Sequence, residues 1–224
     1  GVFDDDQIDA FIELKMADPQ SSFTLATRGK AAHAIFAQSL GGGGGWTFDV
    51  NGKAGMAKDV GTTRSRAVGE GGIIKLDTRG QILAFGDDAY GIYLQSGVQK
   101  TDGSLDRTRK AGSITIEHAG TIIGGSGQGA GVRIDGGNDE NKIVLKSGSH
   151  LSAISGTAIL GSVHADRLEN HGEIIGNVDL ARQGNLADDT FINMPGGRYA
   201  VASSGYVNVG PNGLFRNDGV FDIG

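Results

Sequence analysis

Glycines recur along this 224-residue chain at intervals too long for a meander of hairpins and too regular for a linker. "ATRGK", "DVNGK", "DTRGQI", "EHAGTI", "ENHGEI" and "RNDGVF" place Gly29, Gly52, Gly80, Gly120, Gly172 and Gly219 in like settings. With Gly148 and Gly197 in the series, the spacings are 23, 28, 40, 28, 24, 25 and 22 residues. A period of this size marks a stacked repeat, in which no unit buries its apolar face alone. The 40-residue interval holds "GVQKTDGSLDRTRKAG" (residues 97–112), read as a loop inserted into one repeat.

A second phrase repeats between the glycines. "AHAIFAQS", "AYGIYLQS", "GAGVRIDG", "GTAILGS" and the fainter "RYAVASS" each set a small residue before a β-branched one. The pairs are Ala34-Ile35, Gly91-Ile92, Gly131-Val132, Ala158-Ile159 and Ala200-Val201. "SITIE" and "YVNV" alternate apolar and polar residues, the period-two pattern of half-buried strands. "DDDQIDAFIELKMADP" fits a helix and a strand equally, so residues 1–20 are read as an N-terminal cap or first strand.

Glycine, at 40 residues, is far above the usual share, yet with 3 prolines and no triplet period a collagen helix is excluded. Hydrophobic residues make up 38%, too many for a disordered linker. The net charge of −6 gives no general attraction to nucleic acid. No cysteine is present, which removes disulfides, thiol catalysis and thiolate metal sites.

These patterns predict an all-β fold: a parallel β-helix of roughly nine coils, stacked about 4.8 Å apart. Residues 21–224 form its repeats, with inserted loops at about 53–72 and 97–112. Polar residues two before the glycines (Thr27, Thr78, His118, Asn170 and Asn217) are expected to stack as a hydrogen-bonded ladder. The run Gly41 to Gly45 in "AQSLGGGGGW" is expected to be a loop between coils, with no chemistry required.

"HAIFAQSLGGGGG" resembles a phrase recurring in the passenger domains of bacterial autotransporters (type V secretion), and "ENHGEIIGNVDL", "DDTFINMPGG" and "NVGPNGLFRNDGVFDIG" are similar to their rungs. The full glycine phrase occurs once; Gln95-Ser96-Gly97 keeps part of it. The resemblance implies a right-handed parallel β-helix exported across the outer membrane by a C-terminal barrel that these residues do not include. It implies a location at the cell surface or in the secreted fraction, and a role in adhesion, aggregation or host interaction.

Chemistry is sparsely signalled. "GGSGQGAG" (residues 124–131) is followed by the strand-like "VRI", so it is no nucleotide loop. "GGNDENKIV" (residues 136–144) is a single imperfect copy of a calcium repeat, and Asp139 and Glu140 read as a turn. His164 and Asp166 form one HxD pair, which does not make a metal site. For a carbohydrate-active enzyme on such a scaffold, the candidate acids are Asp87, Asp88, Asp135 and Asp139, with Asp135 at the repeat position of Gln95. No cofactor is called for. The candidate ligand-binding residues are Lys100, Arg107, Arg109 and Lys110, a basic cluster in the inserted loop suited to an anionic host glycan or matrix partner. The alternatives are a polysaccharide lyase or hydrolase, or a structural stalk without a ligand; self-association through exposed strand edges is a further expectation.

Overall fold

A computed structural model describes residues 11–16, 23–41, 46–48, 54–56, 70–98, 105–106, 109–182 and 187–224. All regular structure in these residues is β. The chain traverses three strips in a fixed order and returns to the first, building one tier at each pass. The first tier is β1 (Phe11–Met16), β2 (Phe23–Thr27) and β3 (Ile35–Gly41); β4 (Trp46–Phe48) and β5 (Ala54–Met56) then form an antiparallel hairpin. The second tier is β6 (Ile73–Ala84) and β7 (Tyr90–Val98), and the third is β8 (Ile114–Gly124) and β9 (Ala130–Gly136). The fourth is β10 (Asn141–Leu145), β11 (His150–Ala153) and β12 (Thr157–Leu160). The fifth is β13 (Asp166–Asn170), β14 (Glu173–Ile175) and β15 (Asn177–Asp179). The sixth is β16 (Thr190–Asn193), β17 (Arg198–Val201) and β18 (Val207–Asn208), and the seventh β19 (Leu214–Asn217) and β20 (Val220–Ile223).

Apart from the hairpin, every strand pair is parallel. β6 and β8 are long because each crosses the corner between the first two strips, and they fuse those strips into one sheet of 12 strands. The third strip is a separate sheet of six, β3 to β18.

The crossing works because Gly80 and Gly120 are register partners with φ of 104° and 126°. A Cβ on Gly120 would meet the Gly80 carbonyl oxygen at 2.1 Å, so the corner closes only without side chains. Gly148, Gly172, Gly197 and Gly219 lie at the same corner in later tiers, between β10 and β11, β13 and β14, β16 and β17, and β19 and β20.

Gly29 departs from the expected series. It sits at the next corner, where its carbonyl lies 1.9 Å from a Cβ placed on Gly86. The first tier's equivalent of Gly80 is Phe23, so the excursion from there to Gly80 is one long repeat that holds the hairpin. Two counted intervals are therefore one, and the described strands form seven tiers where the spacing predicts about nine. "RYAVASS" is likewise the second-strip strand β17; Val207 of β18 is the residue that stacks on Val178.

Each strip turns alternate residues inward, and all three share one core. On the first strip the inward column is Leu76, Ile116, Ile143, Leu168, Phe191 and Phe215. On the second it is Leu25, Ile82, Ile122, Leu151, Ile174, Tyr199 and Phe221, and on the third Ile35, Ile92, Val132, Ile159, Val178 and Val207. Full burial of such a side chain contributes about 1.5–3 kcal/mol, and Phe221, 37% exposed in the last tier, contributes less. The column changes from aliphatic to aromatic in the last two tiers, where Tyr199 and Phe221 lie parallel with centroids 5.3 Å apart.

Beside the glycine corner runs a polar column: Thr78, His118, Leu145, Asn170, Asn193 and Asn217 in register. Asn170 Nδ2 donates to Asn193 Oδ1 at 2.8 Å, and Asn193 Nδ2 donates to Asn217 Oδ1 at 2.7 Å. Thr78 Oγ1 meets His118 Nδ1 at 2.9 Å. Leu145 interrupts the ladder, and on its side His118 Nε2 is buried without a hydrogen-bond partner among the described residues. Thr27 lies outside this column; it pairs with Ala84, and its hydroxyl donates to the Ala32 carbonyl.

The ladder makes a prediction. Asn193 also donates to the Val220 carbonyl at 2.9 Å, so Asn193→Leu strands partners on two tiers. It should lower unfolding free energy by about 2–3 kcal/mol in urea titrations. Asn217→Leu, at an exposed position, should cost less than about 1 kcal/mol. Equal losses at both sites would refute the ladder.

Candidate functional site

The strips differ on their outer faces. On the first two, alternate residues reach solvent and their charges pair between tiers. Asp77 and Glu117 lie side by side in register, a repulsive arrangement that Lys146 relieves by bridging them at 3.0 and 2.9 Å. Glu169 is held by Lys142 at 3.0 Å and Arg167 at 2.7 Å. Glu173 accepts from His150 at 2.8 Å and from Arg198, which also pairs with Asp222 at 2.7 Å. Each exposed pair contributes at most about 1 kcal/mol.

On the third strip, β7 is buried at all nine positions and β9 at six of seven, so the outward side chains are packed as well. Register puts Phe36, Tyr93 and Arg133 in one outward row and Gln38, Gln95 and Asp135 in the next. Alternation within each strand turns these side chains away from Ile92, Leu94, Val132 and Ile134, which face the core. Phe36 and Tyr93 ring centroids are 5.2 Å apart, and Tyr90 lies 5.4 Å from Tyr93. His33 stacks on Tyr90 at 4.8 Å.

Arg133 lies over both tyrosines, 5.1 Å from the Tyr90 centroid and 4.7 Å from that of Tyr93. Its Nε and Nη2 donate to Asp135 Oδ2 at 3.0 and 2.6 Å, and Nη1 donates to the Tyr90 hydroxyl at 2.7 Å. Tyr93 donates to Asp135 Oδ2 at 2.8 Å, and Arg182 binds Asp135 Oδ1. Gln38 Nε2 donates to Gln95 Oε1 across the tiers.

The electrostatics follow from burial. Burial and the adjoining Asp135 carboxylate push the Tyr93 phenol above its ordinary range, so it stays a donor. Burial, then the Arg133 charge, push His33 down to about 4, so the imidazole is neutral at pH 7. His33 Nδ1 accepts from the Tyr90 backbone N–H at 3.1 Å, which leaves its proton on Nε2.

The residues singled out from the sequence are dispersed. Asp135 does share a face with Gln95, as the repeat predicts, but two arginines and a tyrosine hydroxyl occupy its carboxylate. Asp87 and Asp88 form the turn that leads from β6 into β7: Lys30 lies 3.6 and 3.4 Å from them, Ser126 Oγ donates to Asp87, and the Gln128 N–H donates to Asp88 at 2.9 Å. That N–H, aided by Lys30, holds Asp88 below the usual carboxylate range.

In the basic loop, Arg109 pairs with Glu70 at 3.3 Å and Lys110 pairs with Asp139; Lys100 and Arg107 lie outside the described residues. Gly42 to Gly45, and residues 53 and 57–69 of the other expected loop, lie outside them as well. His164 and Asp166 diverge: His164 Nδ1 is 4.0 Å from Asp139, while Asp166 is buried against Ser162 and Asn141. No group of three or more His, Asp or Glu side chains is arranged to hold a metal among the described residues.

A buried acidic column was not foreseen. Asn141, Asp166 and Asp189 stack where the third strip turns into the first, and the Asp166 N–H donates to Asp189 Oδ1 at 2.8 Å. Burial pushes Asp166 up to about 7 and Asp189 up to about 6, against the hydrogen bonds each accepts. Burial pushes His118 the other way, down to about 4.

Comparison with known proteins finds no matching family model, curated protein or solved structure.

The two buried groups make opposite pH predictions in one window. Folded Asp166 holds a proton that the unfolded chain releases near 4, so its stabilisation is present in acid and lost as pH rises to about 7. Folded His118 resists protonation, so its contribution is full above about 6.5 and lost as pH falls to about 4. The melting temperature of the native protein relative to Asp166→Asn should fall between pH 4 and 7. Relative to His118→Gln it should rise between pH 4 and 6.5. Flat differences across that range would contradict both assignments.

Proposed function

We propose that the chain is a right-handed parallel β-helix acting as a non-enzymatic binding scaffold, of the autotransporter passenger kind, displayed at the cell surface or secreted. Parallel in-register pairing across three strips supports the winding, and right-handed crossover between parallel strands is the rule for such connections. One observation supports the non-enzymatic reading: each of the four acids singled out from the sequence for glycan hydrolysis is already engaged. Asp135 is bound by Arg133, Arg182 and Tyr93, Asp139 by Lys110, and Asp87 and Asp88 by Lys30 and turn donors. A general acid or nucleophile needs a carboxyl free to face substrate.

Binding requires only extended faces, and the stacked tiers supply them at the strand spacing of about 4.8 Å. The partner class is a host glycan, matrix component or cell surface. The purified protein should be retained by immobilised matrix polysaccharides and release no new reducing ends or unsaturated products from them. Turnover that disappears in Asp135→Asn would replace this reading with a carbohydrate-active enzyme. Absence of retention on every glycan and matrix surface would leave the stalk.

A further inference from the structure

We propose that Ser152 is a histidine-activated nucleophile that takes one acyl group from an activated ester or thioester. This goes beyond the binding reading above and adds a covalent modification site on the second strip.

The site spans two neighbouring tiers of the outer face. His150 and Ser152 are two apart in β11 and so share that face, and Glu173 of β14 is the register partner of His150. His150 Nδ1 lies 2.8 Å from Glu173 Oε2, and His150 Nε2 lies 3.1 Å from Ser152 Oγ. A carboxylate only accepts, so the neutral imidazole carries its proton on Nδ1. Its Nε2 lone pair then faces the serine hydroxyl, which donates to it. Arg198 binds the other carboxylate oxygen, Glu173 Oε1, and so fixes the orientation of the carboxylate. The hydrogen bond from His150, with that from Arg198, holds Glu173 below the usual carboxylate range, so it stays ionised. Nucleophile, base and orienting carboxylate are thus joined in one hydrogen-bonded sequence.

The surroundings select the acyl group. In the outward row of Ser152, Ile123 is its partner in the tier before, and Ile175 follows in the tier after, one residue beyond the Leu151–Ile174 pair. Ile175 is 39% exposed, and Ile154, two residues on from Ser152, is 58% exposed. An aliphatic acyl chain laid on these side chains leaves water while its carbonyl meets Ser152 Oγ.

In the reaction, Ser152 Oγ attacks the acyl carbonyl carbon and its proton passes to His150 Nε2. The bond from that carbon to the leaving oxygen or sulfur breaks, and the leaving group takes the proton from His150. The products are an acyl-serine ester and a free phenol or thiol. The chemistry stops there. Strand N–H groups point within the sheet toward neighbouring tiers, here β8 and β14, and not out of its face, so β11 offers no backbone donors to a tetrahedral oxyanion above Ser152. Without such donors, only a weakly basic leaving group departs readily. A phenolate or thiolate qualifies; the serine alkoxide that hydrolysis must expel does not.

The test treats the full chain with p-nitrophenyl hexanoate, with p-nitrophenyl acetate for comparison. One equivalent of p-nitrophenol should be released per chain and release should then cease. Intact mass should rise by one hexanoyl group, which peptide mass spectrometry places on Ser152 and hydroxylamine removes as it removes an ester. The exposed Ser203 and Ser204 serve as internal controls and should stay unlabelled. Acetylation should be at least roughly fivefold slower than hexanoylation. Ser152→Ala should abolish the burst, and His150→Gln should slow it at least roughly a hundredfold. Glu173→Gln presents an amide donor that can displace the Nδ1 proton, and should slow it at least roughly tenfold. These side chains are partly exposed, and thermal unfolding of each variant separates lost reactivity from lost folding. Labelling of Ser152 no faster than of Ser203, labelling indifferent to His150→Gln, or hydroxylamine-stable adducts on lysines alone overturns the assignment. An adduct on His150 that persists in Ser152→Ala makes the histidine the nucleophile and overturns it too. Release that continues past one equivalent and is lost in Ser152→Ala overturns the arrest at acyl-serine, and with it the non-enzymatic reading. Failure to label Ser152 while glycan or matrix surfaces still retain the protein overturns this site and leaves the binding scaffold standing.

Discussion

Parallel, in-register pairing sets each residue directly beside its counterpart in the next tier. Every position in the repeat must therefore tolerate a near copy of itself about 4.8 Å away. Apolar side chains meet this condition easily, which is why the three inward columns stay apolar or aromatic through successive tiers. Asparagine meets it by accepting from one tier and donating to the next, as Asn193 does between Asn170 and Asn217. Glycine meets it where a positive φ and close backbone approach coincide, as at Gly80 and Gly120.

Charge does not meet the condition unaided. Asp77 beside Glu117 needs Lys146, and Glu173 needs partners on both sides. Buried charge is more constrained still. Asp166 and Asp189 occupy neighbouring tiers of one corner, where loss of water favours their protonated forms. The outer faces thus divide into two kinds. The first and second strips spend their charged side chains on pairing between tiers. The third collects aromatic rings, two arginines and one aspartate into a packed patch. Chemical distinction on a repetitive scaffold arises where the repeat is least faithful, because only there do unlike residues become neighbours.

Much of the strand register was legible because it is a local pattern. "AIFAQS", "GIYLQS", "GVRIDG" and "TAIL" align by eye and prove to be the stacked third-strip strands β3, β7, β9 and β12. The glycines from Gly80 onward mark a real corner. The errors came where a spacing of the right size had the wrong cause: the hairpin excursion imitates two short repeats, and "RYAVASS" carries a third-strip pattern on a second-strip strand. The patch on the third strip was half visible. Asp135 beside Gln95 follows from the repeat, but Arg182 reaches Asp135 across 47 residues, and no periodicity announces that.

The sequence by itself determined the all-β class, the alternation of core and surface, the polar positions beside the glycine corner and the lack of thiol chemistry. These depend on residue identity and on periods of two and about 25, which a chain carries along its own length. Tertiary structure alone decided which charges neutralise one another, which acids are buried and which outward row gathers arginine with aromatic rings. Those outcomes depend on the lateral offset between tiers. Insertions of unequal length set that offset, and only the closed pairing of backbone hydrogen bonds fixes it.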